Sequence, residues 1–322
     1  MDTRILFPTL FIACLALSIL SLAYGSTGFE DPLCVASMSS PVAMLRVLRT
    51  VTAIVAGTML ALAGSLMQYA TRNYLADPFL LGLPSGALLA ILLLLLVVPY
   101  VPRNTLILAA FLGAMTAYLL TNTIASLAGM SVASLVLAGI AVSTFFSSAS
   151  HVALYLWASK RLGHAHILLL GSFAYATKSD VETMLIVAAI CVTTSFLLWK
   201  RLNALVLGDE YSHQLGYDPR ATRFLAVTLA AVATSTVVAF VGIVGFLGLL
   251  APNIARMMVG DEARKHLSTS MLCGVALSLA ADLFVRAVSQ LSTLGELPVS
   301  IPMSMVGAPM LAYLVVTSRC RT

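Results

Sequence analysis

Ten stretches of nearly unbroken apolar residues organise the chain, near 5–24, 50–70, 80–101, 105–127, 132–157, 181–199, 222–241, 243–259, 267–291 and 302–318. Each reads as a helix, because a backbone surrounded by hydrocarbon must pair its own N–H and C=O groups. About 20 apolar residues suffice to cross a bilayer. Two divisions are weak. Gly242 and Gly245 interrupt an almost continuous run over 222–259, and little separates the runs around 127–134. The polar stretch 157–180 contains a short apolar patch, His166 to Gly171, which reads as a short helix outside a full span. The pattern predicts an all-α polytopic membrane protein with ten transmembrane helices, a single domain over 1–322.

Composition supports the same solvent. Hydrophobic residues make up 60% of the 322 and charged residues 10%, against about 45–50% and about 25% in soluble domains. The mean hydropathy is +1.00. The first run, from Ile5, is long enough to remain as a helix; Phe11-Ile12-Ala13-Cys14 resembles a lipoprotein cleavage box only faintly and lies mid-run. The net charge of +5 is spread over single and paired basic residues, with no basic stripe of the kind nucleic acid requires. Five isolated cysteines with no CxxC pattern define neither a metal site nor a disulfide framework.

Basic residues set sidedness. Ten spans put both termini on one face. With that face cytoplasmic, eleven Lys and Arg lie inside, among them Arg72, Lys200, Arg201, Arg220 and Arg223, and six lie outside, among them Arg46, Arg49 and Arg103. Span two then starts outside and span seven inside, so spans two to five and seven to ten read as an inverted repeat of the transporter type. No glycine-rich phosphate loop is present, since none of the four lysines follows a glycine. The energy must come from an ion gradient or from another subunit.

Several segments carry chemistry. Ala204, Leu207, Tyr211 and Leu215 form an apolar stripe within 202–219, with Asp209 and Glu210 suited to a helix start and Gly216 and Pro219 to its end. That stripe fits either a partner protein's groove or the lipid headgroup surface. Arg72 to Gly82 separates two runs with polar residues and Pro78, and reads as a plain loop or a functional one. Arg46 and Arg49 share a helix face and fit carboxylates of a partner or headgroup phosphates. Asp282 and Arg286, four apart, can pair within span nine; Asp282 is the one clear carboxylate inside a span. His151 reads as a packed polar residue rather than a proton relay. His164 and His166 lack a metal spacing.

As a set, these segments resemble the FecCD-like permease family of type II ABC importers for iron-siderophores, haem and cobalamin. The resemblance is carried by Arg46-Val47-Leu48-Arg49-Thr50, Ala61 to Gln68, Asn73 to Gly82, Gly245 to Leu249, Pro252 to Arg256, and Glu296-Leu297-Pro298 with Gly307-Ala308-Pro309. It implies a homodimer around a central pathway, two cytoplasmic ATPase subunits below and an extracytoplasmic substrate-binding protein above. It also implies a coupling helix to the ATPase at 202–219 (Leu207, Gly208, Asp209, Glu210, Tyr211, Leu215, Gly216). Arg46, Arg49 and Arg286 then match docking residues for the binding protein. Asn73, Leu75, Ser131 and Ser134 match a cytoplasmic gate. Tyr74 stands where the family often has proline, and Asn253 where histidine is common.

The resulting expectation is a non-enzymatic permease subunit in the cytoplasmic membrane of a prokaryote, with no cofactor or metal in this chain and ATP and Mg in the partner ATPase. Its cargo is a bulky metal chelate, iron-siderophore first, then haem or cobalamin. Two rivals are an ion-gradient-driven secondary carrier, which the scarcity of carboxylates in the spans disfavours, and an intramembrane hydrolase. For the latter, Ser147 alone has i,i+4 helical spacing to His151, and no oxyanion motif accompanies the pair.

Overall fold

Each apolar run folds as a helix in the computed structural model, which describes residues 3–25, 28–32, 35, 38, 40–98, 101–160, 171–291 and 297–318. The expectations for Arg161, His164, His166 and Glu296 lie outside the described residues. Helix α1 (Thr3–Ala23) leads into a small antiparallel hairpin, β1 (Tyr24–Gly25) and β2 (Gly28–Phe29), with Tyr24 opposite Phe29. There follow α2 (Pro41–Thr71), α3 (Leu83–Val97), α4 (Arg103–Leu127), α5 (Val132–Lys160) and α6 (Lys178–Leu197). Two short helices, α7 (Trp199–Val206) and α8 (Asp209–Gln214), precede α9 (Pro219–Val241), α10 (Leu247–Val259), α11 (Ala263–Leu291) and α12 (Ser300–Ser318).

Helix α2 begins nine residues before its apolar run does. Ser40 Oγ accepts from the Ala43 N–H, and Pro41 occupies the first turn, where its missing N–H costs nothing. Arg46 and Arg49 therefore sit within a helix, not at its mouth. From Thr50 to Ala70 this helix is almost wholly buried, packed by α9, α10 and α11.

Seven helices among the described residues have the length and hydropathy to cross a membrane. The shorter apolar ones include α3 and α10, of 15 and 13 residues. At about 1.5 Å per residue they fall short of a hydrocarbon core about 30 Å thick. Both are entered through an irregular segment that ends on a left-handed residue, Gly82 (φ 87°) before α3 and Phe246 (φ 62°) before α10. The two segments meet at Phe79 and Phe246, whose ring centroids are 5.7 Å apart. Irregular backbone survives at membrane depth only when protein buries it. Here α2 provides the cover by packing against α10.

That cover needs glycine. A Cβ on Gly64 would overlap the Gly248 carbonyl, and one on Gly57 would overlap Ser278 Oγ and the backbone of Gly274. Close backbone approach through small residues is the usual adhesive between helices in lipid, where apolar burial gives little drive.

Gly64→Val should therefore lower thermal stability in detergent by at least the ~1–3 kcal/mol typical of overpacking, since rigid backbone rather than a side-chain tip stands in the way. Gly245→Ala, whose Cβ would meet Phe79 at an ordinary 3.6 Å, should melt with the wild type. Equal melting of the two variants would remove the close-approach argument.

Candidate functional site

Near one end of α2 lie Asn73, Leu75 and the 202–219 segment, expected to gate and to couple; the arginines lie toward the other end. At the first end, the expected single stripe over 202–219 is two helices. Gly208, at φ 119°, breaks the chain between α7 and α8 in a conformation that favours glycine. The break divides the stripe. Leu202, Ala204 and Leu205 face the protein, whereas Leu207, Tyr211 and Leu215 are exposed. Glu210 is also exposed, and Gly216 (φ 79°) closes the α8 turn.

Asp209 ties this segment to its surroundings. Its Oδ1 lies 2.6 Å from Arg223 Nη2 on α9 and 3.1 Å from Arg72 Nη2. Arg72 is the left-handed C-cap of α2, at φ 50°. It is thus the first residue of the segment that holds Asn73 and Leu75. Arg72, Leu207, Asp209 and Tyr211 also border an open recess of about 440 Å³.

Asn73 is buried, and its Oδ1 accepts from the Leu75 N–H at 2.9 Å, a local turn that sets the direction of Leu75. Ser131 and Ser134 form a separate unit: Ser131 Oγ accepts from the Ser134 N–H at 3.0 Å and caps the start of α5. The two departures from the family pattern touch each other. Asn253 Nδ2 donates to the Tyr74 carbonyl at 3.0 Å, and the Arg256 guanidinium stacks 4.1 Å from the Tyr74 ring centre. Arg256 also pairs with Asp261 (2.5 Å) and donates to Gln68 Oε1 (2.6 Å). The loop after α2 is therefore clamped to α10.

Asp77 and Arg256 had no signal in the apolar pattern. Asp77 lies in a connection rather than a span, yet it is 1% exposed, against Gly248, with Oδ2 unpartnered among the described residues. Burial pushes its carboxyl up from 3.8 to about 7, partly offset by a backbone hydrogen bond at Phe79. The clue available in the sequence was the Asp77-Pro78 pair directly before an apolar run.

At the other end, the arginines differ from the outward-facing arrangement expected of docking residues. Arg46, Arg49 and Arg286 are 6%, 8% and 2% exposed. Asp282, fully buried, is held from two sides, by Arg49 (Nη2–Oδ1 2.8 Å) and by Arg286 (Nη2–Oδ2 2.5 Å). Arg286 Nη1 also donates to the carbonyls of Ser21 and Tyr24. Arg46 donates to Ala23 and Gly28 and pairs with the half-exposed Glu30 at 3.1 Å. The physical reason is economy of buried charge: a carboxylate out of water has to be matched on every lone pair. Together the guanidiniums staple the hairpin to α2 and α11.

His151 lies on α5 with its Nδ1 2.7 Å from the Ser147 carbonyl. A carbonyl oxygen only accepts, so Nδ1 carries the proton. Ser147 offers this histidine its backbone, not a nucleophile aligned for hydrolysis. No cluster of three or more potential metal ligands occurs among the described residues.

A bundle of apolar helices, two of them short and entered through irregular segments that meet at Phe79 and Phe246, has the architecture of a membrane permease. The sequence pattern of the FecCD transport family matches residues 9–317, and the chain belongs to that family. It is the permease subunit of an ABC importer, with the ATPase on a separate subunit. It is 32% identical over 282 residues to the hemin transport system permease protein HmuU of Yersinia pestis, covering 85% of this chain and 83% of that one. It is 34% identical over 278 residues to the Fe(3+) dicitrate transport system permease protein FecC of Escherichia coli, covering 84% and 81%. A solved metal-chelate type ABC transporter in an inward-facing conformation superposes with a TM-score of 0.79 at 26% identity, covering 98% of this chain and 99% of that one.

Two outcomes follow from the buried charges. Asp282→Asn removes the buried carboxylate that two guanidiniums share, and should cost about 3–5 kcal/mol. Lys265→Met, in the exposed pair with Glu262, should cost under about 1 kcal/mol; similar melting of the two would refute the staple. For Asp77, the native carboxyl keeps its proton to about pH 7 while the unfolded one loses it near 4. Between these values the native state binds more protons, so stability falls as pH rises. Asp77→Asn should flatten that fall and exceed the wild type at pH 8 by an amount on the order of 2–4 kcal/mol, read from melting at pH 5 and pH 8.

Proposed function

We propose that this permease admits a bulky metal chelate, iron-siderophore first and haem or cobalamin next, by alternating access driven from a coupling helix at 202–219. The observation that carries the reading is the double bridge of Asp209 to Arg223 and Arg72. It links α8 to the first residue of the gate loop. The relatives' printed names, for hemin and for ferric dicitrate, support the cargo class.

In this reading the chain crosses the cytoplasmic membrane of a prokaryote ten times with both termini inside, α3 and α10 completing their crossings through the irregular segments before them. Spans two to five and seven to ten form an inverted repeat, supported by the short, irregularly entered helix in second place of each set. Two copies pair around the pathway. Two ATPase subunits, carrying ATP and Mg, grip Leu207, Gly208, Asp209, Glu210, Tyr211, Leu215 and Gly216 from the cytoplasm. ATP binding favours one arrangement of the copies and hydrolysis resets it, a population shift set by differential affinity. Asn73 and Leu75 close the cytoplasmic gate with Ser131 and Ser134. A substrate-binding protein docks at the hairpin end, where Arg46, Arg49 and Arg286 act by fixing the hairpin from beneath.

The test is ATP-dependent uptake in proteoliposomes holding permease, ATPase and binding protein. Tyr211→Asp with Leu215→Asp should abolish both uptake and ATPase capture. Asp209→Ala should keep the ATPase bound and hydrolysing while uptake falls about tenfold. Uptake that ignores ATP and follows an imposed ion gradient would establish the secondary carrier instead.

A further inference from the structure

Where α6 runs into α7 and α9 begins, Lys200, Arg201 and Arg220 are exposed, and none forms an ion pair among the described residues. Other basic residues at this end of the bundle do. Arg72 and Arg223 share Asp209, Arg256 holds Asp261, and Lys265 holds Glu262. The three cations belong to one surface. Helix α9 packs against both α6 and α7, and the Arg201 guanidinium carbon lies 5.9 Å from the ring centre of Tyr217, just before α9. Arg220 is the second residue of α9, at the positive pole of that helix, where a cation is disfavoured unless an anion offsets it. Asp218, the acidic neighbour, spends Oδ1 on the Arg220 backbone N–H and makes no ion pair with its guanidinium.

The surroundings of these charges select the anion. Each cation stands one turn from a large exposed apolar side chain. Leu197, four residues before Arg201, is 77% exposed and continues the exposed Ile186 and Ile190 along α6. Phe224, four residues after Arg220, is 63% exposed. Half-buried Trp199, whose ring centre is 5.6 Å from the Lys200 ammonium, adds the ring type that settles at headgroup level. A soluble acidic protein has no use for bare leucine, isoleucine and phenylalanine leading away from the charges along two helices. An amphiphile matches both parts. Guanidinium forks fit phosphate oxygens, and basic residues at the end of a span draw anionic headgroups.

We propose that Lys200, Arg201 and Arg220 form a binding site for an anionic phospholipid, which seats its phosphate on the three cations and lays its acyl chains along Ile190, Leu197 and Phe224. The lipid supplies the anion that Arg220 lacks and anchors the corner from which α7 runs to the break at Gly208. The inference needs only that the chain spans a membrane; neither cargo nor energy source enters it.

Tryptophan fluorescence reads the site directly, because the chain has two tryptophans and Trp157→Phe leaves Trp199 alone. The full-length permease in this background is reconstituted in phosphatidylcholine vesicles, and a rising share of the lipid is replaced by brominated phosphatidylglycerol or by brominated phosphatidylcholine. Half-maximal quenching should need about fivefold less of the glycerol lipid, the preference that one basic side chain near an anionic headgroup supplies. Lys200→Gln with Arg201→Gln and Arg220→Gln should bring the two lipids level. Arg264→Gln with Lys265→Gln, exposed cations elsewhere on the same face, should keep the preference. Equal quenching before any charge is removed, or a preference that survives the triple change, would overturn the site. A preference lost in both sets would reduce it to the general field of a basic face. Release of the quenching by inorganic phosphate would assign the cations to a soluble anion, and loss of ATPase capture by the triple variant would assign them to a protein partner; either removes the lipid. Uptake is not among these readouts, so their failure leaves the importer reading untouched.

Discussion

A polypeptide in hydrocarbon has no water to satisfy its backbone, and among the described residues two irregular segments lead into short apolar helices. The segments 72–82 and 242–246 carry N–H and C=O groups with no helical partner, so protein must enclose them. Helix α2 does so, and it can approach closely because Gly57 and Gly64 remove the side chains that would hold α11 and α10 away. The positions of the hairpin, of the 72–82 segment and of Asp209 beside Arg72 all follow from where this one buried helix begins and ends.

The two ends of α2 use charge in different ways. At Arg72 the ion pairs are partly exposed and shared: Asp209 serves both Arg72 and Arg223, and each bond is weak enough to exchange. At Arg49 they are buried and closed, with Asp282 matched on both oxygens. A relay needs the first kind of contact and a scaffold the second. Arg256 lies between these limits, stacked on Tyr74 and paired with Asp261, and holds the 72–82 segment against α10. The residues that depart from the family pattern, Tyr74 and Asn253, touch each other there, Asn253 Nδ2 donating to the Tyr74 carbonyl.

The family resemblance was legible because its motifs lie at turns and helix ends, where residue type and backbone conformation are tightly linked. Gly82 and Gly216 both take positive φ, and the sequence marks each as a boundary. The coupling segment was legible as an amphipathic stretch but not as two helices, since a stripe at 3–4-residue spacing survives a single-residue break. The arginine cluster was legible as a set of candidates, while its burial was not. Spacing places Arg46 with Arg49 and Asp282 with Arg286 along their own helices, but it says nothing of a contact across 233 positions.

Apolar runs by themselves determined the solvent, the class and the order of the helices, because the cost of an unpaired peptide in lipid leaves almost no alternative to a helix. The sequence also holds no phosphate loop, because none of its four lysines follows a glycine, so the energy comes from elsewhere. Tertiary structure alone decided which helices stop short, that Asp77 is sealed in protein, and that three guanidiniums turn inward. Those are outcomes of long-range packing: the field around a charge and the space beside a glycine depend on neighbours that hydrophobic periodicity does not record.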